Sequence, residues 1–144
     1  MDEILTDLAN FALENKISFM ATSKLGPNTP SASDTEARSV VLNLNWHIKK
    51  QLAFQLAHEI AHIINGDVSN QVLYFTPGKT GIELEANRTA IKLVMPYYLR
   101  DRRADQVNPV EFMNIFAIPS HLASTVKSEL RKACYSRDAE LITD

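Results

Sequence analysis

The stretch His58-Glu59-Ile60-Ala61-His62 decides how this chain is interpreted, because its spacing is that of a metal site. His58 and His62 are four positions apart, so on a helix both imidazoles lie on one face and can bind one ion. Glu59 projects from the same turn and can stand beside the ion without binding it, as zinc hydrolases with this pattern require. The alternative interpretation is a pair of solvated histidines on a surface helix.

The surrounding segment is strongly apolar, and we expect a helix from about Asn45 to Ile64. Its apolar side chains recur at helical spacing on more than one side of the helix. Asn65-Gly66 supplies a left-handed stop after the last apolar residue. A helix this apolar is buried, so we expect the two histidines to face a cleft rather than open solvent.

The rest of the chain alternates between helix and strand patterns. Helices are expected over 2–15, from Gly81 to Met95 with an end or kink at Pro96, from Pro109 to Phe116, and from Pro119 to about Cys134. Strands are expected over 17–22, 39–44 and 72–75, with a loop over 24–36 and a turn at Pro77-Gly78. This mixture predicts an α+β fold with a short sheet.

Composition limits what the chain can be. Its 144 residues fit one domain, which needs no disulfide to bury a core. Cys134 is its single cysteine, so any metal must be held by histidines and carboxylates. The acidic N-terminus lacks the basic start of a signal peptide, and no apolar run reaches transmembrane length. We therefore expect a cytoplasmic protein, and the net charge of −2 gives no sign of nucleic-acid or membrane binding.

A catalytic zinc site needs three protein ligands and one open position. The best candidate for the third ligand is Glu83, which lies four residues before Asn87 and shares its helical face. Asn87 would then hydrogen-bond the second ring nitrogen of a histidine ligand and fix its tautomer. Glu85 points elsewhere on the helix and is the weaker candidate. A helix start enriched in acids for electrostatic reasons would explain both glutamates equally well.

Taken together, these motifs resemble the ImmA/IrrE family of metallopeptidases. The resemblance rests on residues 58–62, on Glu83-x-Glu85-Ala86-Asn87 and on Leu93-Val94-Met95-Pro96. It is close over 56–96 and looser elsewhere. It implies a small zincin-like domain of the gluzincin type over residues 1–100, with the metal helix followed by a glutamate helix. Residues 101–144 would form a C-terminal helical extension that contains a helix-turn-helix-like pair.

The resemblance also implies a function. Members of this family cleave or inactivate a cognate helix-turn-helix repressor, often one encoded on a phage or mobile element. The chain would then be a zinc-dependent endopeptidase, with zinc on His58, His62 and Glu83, and with Glu59 as the catalytic base. An edge strand near residues 39–45 is expected to align an extended protein substrate. No membrane partner and no direct nucleic-acid partner are expected.

Two alternatives remain open on the sequence. The chain could be a regulatory module that binds a repressor or DNA and carries a structural or vestigial metal site. It could instead hydrolyse small amides under a lid formed by the loop over 23–36. An oxyanion donor is also required. Tyr97, Tyr98 and His121 are candidates, although a structural role is the simpler interpretation of each.

Overall fold

The computed structural model describes residues 1–76, Gly78 and 81–142, with the backbone alone over 137–142. The helices in these residues are α1 (Glu3–Glu14), α2 (Leu52–Ile64), α3 (Gly81–Leu99), α4 (Pro109–Phe116) and α5 (Ala123–Ile142). The strands are β1 (Ser18–Thr22), β2 (Ala32–Asp34), β3 (Ser39–Asn43) and β4 (Leu73–Tyr74). The α+β class predicted from the sequence is confirmed.

The four strands form one mixed sheet in the order β1-β3-β2-β4. β1 and β3 run parallel, whereas β2 is antiparallel to both β3 and β4. The expectation that the strand near residues 39–45 is an edge strand is wrong, because β3 is paired on both sides. The edges of the sheet are β1 and β4. Any substrate that adds a strand must therefore use one of these two edges.

The strand β2 lies inside the segment 24–36 that the sequence predicts to be a loop, and this prediction is wrong for Ala32–Asp34. Ser33 pairs with Val40 on one side and with Leu73 on the other. Serine and aspartate have low strand propensity, so the local sequence gives no strand signal. Pairing with two neighbours far along the chain overrides that propensity.

The metal helix α2 begins at Leu52, after a 3-10 turn over Lys49–Gln51, and not near Asn45 as predicted. The residues before it bind the preceding loop instead. The Asn45 side chain donates to the Leu25 carbonyl, and the His47 backbone N–H donates to the Pro27 carbonyl. Asparagine competes in this way with helix formation, which explains the later start.

The predicted stop at Asn65-Gly66 is confirmed in detail. Gly66 has a φ of 77°, its N–H donates to the Ile63 carbonyl, and the Asp67 N–H donates to the His62 carbonyl. These two bonds form a Schellman motif, in which a left-handed glycine turns the chain back over the last helical turn. The turn brings Asp67 alongside His62.

α4 starts at Pro109 as predicted, but the prediction that the last helix starts at Pro119 is wrong, because α5 starts at Ala123. α3 and α5 both run further than expected, to Leu99 and Ile142. α3 continues through Pro96 to Leu99, and the Arg100 N–H donates to the Pro96 carbonyl beyond it. Pro109 occupies the first turn of α4, whereas Pro119 precedes a 3-10 turn that leads into α5. The turn expected at Pro77-Gly78 lies partly outside the described residues.

All five helices pack around one hydrophobic core, and α2 lies at its centre with nearly every side chain buried. α2 packs most extensively on α3, and α5 packs on α3 and α4. The division of the chain at residues 100 and 101 and the helix-turn-helix likeness of the last helices stay predictions. Among the described residues, no helix combines the length and the apolar character needed to cross a bilayer.

Candidate metal centre

Two histidines of α2 form the base of the site. His58 and His62 are fully buried, and their rings meet edge to face with centroids 4.8 Å apart. One helical turn separates them, so both rings leave the same face of α2. The ring of Phe75, which follows β4, packs against His58 at a centroid distance of 5.0 Å. The two histidines are therefore buried, as expected, and an aromatic ring covers one of them.

Glu83, in the first turn of α3, reaches both imidazoles. Its Oε2 lies 3.2 Å from His58 Nε2, and its Oε1 lies 2.9 Å from His62 Nε2. Burial opposes ionisation of Glu83, but its close contacts with the two histidines outweigh burial and lower the pKa of Glu83 to about 2. The three residues each offer a ligand atom within 4.8 Å of the others. The structure therefore brings together the three predicted ligands.

The remaining ring nitrogen of each histidine already has an acceptor. His58 Nδ1 lies 2.8 Å from Asn87 Oδ1, and the Asn87 amide group donates to the Gly78 carbonyl, which fixes Oδ1 as the acceptor. His62 Nδ1 lies 2.9 Å from Asp67 Oδ2, a carboxylate oxygen that can only accept. Both Nδ1 atoms therefore carry the proton. Both Nε2 lone pairs are left for a metal, as carboxylate–histidine–metal sites require.

One buried atom tests whether an ion fits these residues. His62 Nε2 has no hydrogen-bond partner among the described residues, although it lies 2.9 Å from Glu83 Oε1. Buried polar atoms without a partner are rare in native proteins and often mark an absent water or ion. Two neutral imidazoles and one carboxylate are also a ligand set that suits a catalytic divalent ion. The residues present fit a metal.

Glu59 is fully buried beside these ligands. Its Oε1 accepts a hydrogen bond of 2.9 Å from the Ser33 hydroxyl, whereas its Oε2 has no partner among the described residues. Burial raises the pKa of Glu59 well above its ordinary value, and the charge of Glu83 raises it further. A carboxylate with a raised pKa holds a proton more readily, which is what a general base must do.

The absence of a side chain at Gly78 leaves the space that Glu83 occupies. A Cβ atom at Gly78 would lie 2.8 Å from the Cβ of Glu83. A larger residue would therefore push the start of α3 away from the histidines. The competing candidate Glu85 is exposed and lies 3.7 Å from Arg88, so it takes no part in this cluster.

The two tyrosines predicted as possible oxyanion donors bind residues outside the metal centre. The Tyr97 hydroxyl donates to Asp7 at 3.0 Å, and the Tyr98 hydroxyl donates to Glu111 at 2.7 Å. Both phenols thus connect α3 to other helices, in agreement with the structural interpretation. His121 lies in the 3-10 turn before α5.

Sequence reasoning missed two residues of the site, Ser33 and Asp67. Asp67 follows the helix stop at Asn65-Gly66, and a Schellman motif at that stop would have placed it beside His62. Ser33 gave no comparable signal, because it lies in a segment rich in serine, threonine and proline. Only the pairing of β2 brings its hydroxyl to Glu59.

Comparison with known proteins identifies one family. A peptidase family described as the IrrE N-terminal-like domain matches residues 14–119, a range that includes every residue of the metal centre. No curated protein and no solved structure matches the chain.

Proposed function

The chain belongs to the family of the IrrE N-terminal-like domain, and from this premise we propose that it is a zinc-dependent endopeptidase that cleaves a helix-turn-helix repressor. The observation that carries the proposal is the convergence of His58, His62 and Glu83 beside a buried glutamate. A site that served structure alone would have no use for a buried carboxylate oxygen without a partner among the described residues.

The proposed ligands are His58 Nε2, His62 Nε2 and the Glu83 carboxylate. When bound there, zinc lowers the pKa of a coordinated water and polarises a peptide carbonyl. Asn87 and Asp67 hold the two imidazoles in the tautomer that presents Nε2. The hydrophobic wall at Phe75 excludes bulk water from this side of the site, which strengthens every charge interaction within it.

Glu59 supplies the proton transfers. Its Oε2 would accept a proton from the attacking water and then deliver it to the leaving amine. The raised pKa of Glu59 favours the first transfer, because it makes the carboxylate a stronger base toward the water. The Ser33 hydroxyl donates a hydrogen bond to the other carboxylate oxygen, Oε1, and takes no part in these proton transfers.

A peptide substrate would bind along β4, the edge strand that leads into Phe75 beside His58. β4 pairs with β2 on one side alone, so the other side offers unpaired backbone groups to an extended segment. Tyr74 and the preceding Val72 are about half exposed on this edge. They would contact side chains of the bound segment, while Phe75 leads directly to His58.

Family membership and the sequence resemblance support the choice of substrate. A repressor encoded on a phage or mobile element is the proposed target, and its cleavage would release the genes it silences. The protein would act where such repressors act, in the cytoplasm. An extended linker of a DNA-binding protein satisfies the strand geometry that β4 requires.

Replacement of the base tests the proposal. We expect Glu59→Gln to bind zinc with the wild-type stoichiometry and to lose cleavage of the repressor encoded nearest the gene of this chain, as followed by electrophoresis. The matched control is Glu85→Gln, an exposed glutamate that is 60% accessible and lies outside the cluster. Undiminished derepression by Glu59→Gln would favour a non-catalytic regulatory module and refute the protease.

A further inference from the structure

Strand β2 is attached to the metal helix by two buried hydrogen bonds, which we call the rungs. In the first rung, the Ser31 N–H donates to Gln55 Oε1 at 3.1 Å. In the second, the Ser33 hydroxyl donates to Glu59 Oε1 at 2.9 Å. All four residues are at most 1% exposed. A ladder of this kind is more specific than apolar packing, because hydrogen bonds have narrow geometry.

The spacing of the rungs matches on both elements. Gln55 and Glu59 are one turn apart on α2, a rise of about 6 Å. Ser31, directly before β2, and Ser33 within it are two residues apart, a distance of about 6.8 Å in extended chain. Both rungs form in one register, and a slip of β2 by one residue would turn Ser33 to the opposite face of the sheet.

The first rung is itself held in place. Gln55 Nε2 donates to Gln51 Oε1 at 2.9 Å, which leaves Gln55 Oε1 to accept from Ser31. Gln51 in turn donates to the Ala117 carbonyl at 2.8 Å, at the end of α4. The orientation of both amide groups is therefore determined. This in turn fixes the position of β2 along the axis of α2. Pairing with Val40 and Leu73 fixes Ser33 within the sheet.

We infer that Ser33 is a positioning residue for Glu59, and this inference rests on the proposed role of Glu59 as the base. The Ser33 hydroxyl engages Oε1 and stops rotation of the carboxylate, so that Oε2 is the oxygen available to the reacting groups. Ser33 itself contacts none of the three proposed ligands in the described hydrogen bonds. Its effect is therefore separable from metal binding.

A double-mutant cycle on the metal-free protein tests this contact without any need for activity. Ser33→Ala is made in the wild type and in Glu59→Ala, and the denaturant midpoint of unfolding is measured. In the wild type we expect a lower midpoint, because Glu59 loses its one hydrogen-bond donor among the described residues. In Glu59→Ala we expect no loss, since the Ser33 hydroxyl then has no acceptor to serve. An equal loss in both backgrounds would overturn the inference.

Cleavage kinetics with the repressor encoded nearest the gene distinguish a positioning role of Ser33 from an effect on stability alone. Ser33→Ala should lower kcat by about 10- to 100-fold, the usual effect of losing an outer-shell partner, and leave KM and zinc affinity unchanged. Ser33→Thr, which keeps a hydroxyl and suits a strand, should restore most of the rate.

The matched control is Ser31→Ala, which removes the hydroxyl that accepts from the Asn43 N–H at the end of β3 but leaves the backbone rung intact. We expect a stability loss without a fall in kcat. An unchanged kcat in Ser33→Ala, or an equal fall in Ser31→Ala, would refute a positioning role. A wild-type protein that cleaves no repressor would refute the proposed function, while the cycle on metal-free protein still decides whether Ser33 holds Glu59.

Discussion

Two clusters of charged groups lie on opposite faces of α3, and they differ in how completely they are paired. On the face toward α2, Glu83 and Asn87 meet the two histidines. On the face toward α5, Arg88 and Lys92 meet Glu129, which is 3% exposed. Each pair is four residues apart, so each lies on one helical face. α3 thus contributes two residues to each cluster.

The two clusters differ in how many of their buried polar atoms have a partner. Arg88 lies 3.1 Å from Glu129 Oε1, Lys132 lies 3.5 Å from the same oxygen, and Lys92 lies 3.9 Å from Oε2. Oε1 therefore has two donors at hydrogen-bond distance, and Oε2 faces the Lys92 ammonium at ion-pair distance. In the metal centre, Glu59 Oε2 and His62 Nε2 have no hydrogen-bond partner among the described residues. A satisfied cluster serves packing, whereas unpartnered buried atoms point to a ligand.

The largest effect should come from removing a proposed ligand. Glu83→Gln should lower zinc affinity by more than about 100-fold, since outer-shell changes alone cost 10- to 100-fold. Zinc at 1,000 times its Kd should stabilise the wild type by about 4 kcal/mol. We expect this rise in Tm, measured calorimetrically with and without chelator, to vanish in Glu83→Gln. The same rise in both proteins would show that zinc binds elsewhere.

A smaller effect is expected from the residues that hold the imidazoles. Asp67→Ala should lower zinc affinity by about 10- to 100-fold, because His62 loses the acceptor that fixes its tautomer. Competition with a chromophoric chelator measures the change. Asp67→Asn retains an acceptor and should lose less. Equal affinities for all three proteins would remove Asp67 from the site.

The second cluster should affect stability and leave zinc binding alone. Glu129→Gln should lower the free energy of unfolding by about 1–2 kcal/mol, because three cations lose their counter-charge. The figure is below the 3–5 kcal/mol of a fully buried pair, since Lys92 and Lys132 keep access to water. Urea denaturation measures the loss, and zinc titration provides the control. A fall in zinc affinity would abolish the distinction between the two clusters.

Local sequence was sufficient wherever the structure depends on neighbours along the chain. The spacing of His58 and His62 predicted a shared face, and the same rule applied to Glu83 and Asn87 predicted a hydrogen bond to a histidine. Asn65-Gly66 marked the end of α2 correctly. In each case the determining groups lie within one or two helical turns of one another, so backbone geometry alone fixes their relation.

Local sequence failed where a distant partner decides the conformation. Ala32–Asp34 has little strand propensity and forms β2 because β3 and β4 pair with it. The position of β3 inside the sheet followed from its pairing with β1 on one side and β2 on the other. The later start of α2 followed from contacts with the loop at Leu25 and Pro27. None of these partners is visible in a short window of sequence.

The sequence by itself determined a helix that presents His58, Glu59 and His62 together, and a second helix that offers Glu83 and Asn87 on one face. Helical periodicity is a local property, so each set shares a face wherever its segment is helical. Only the tertiary structure decided that Glu83 rather than Glu85 faces the histidines, and that Ser33 reaches Glu59. Those outcomes depend on how α3 and β2 pack against α2, and packing is set by the whole core.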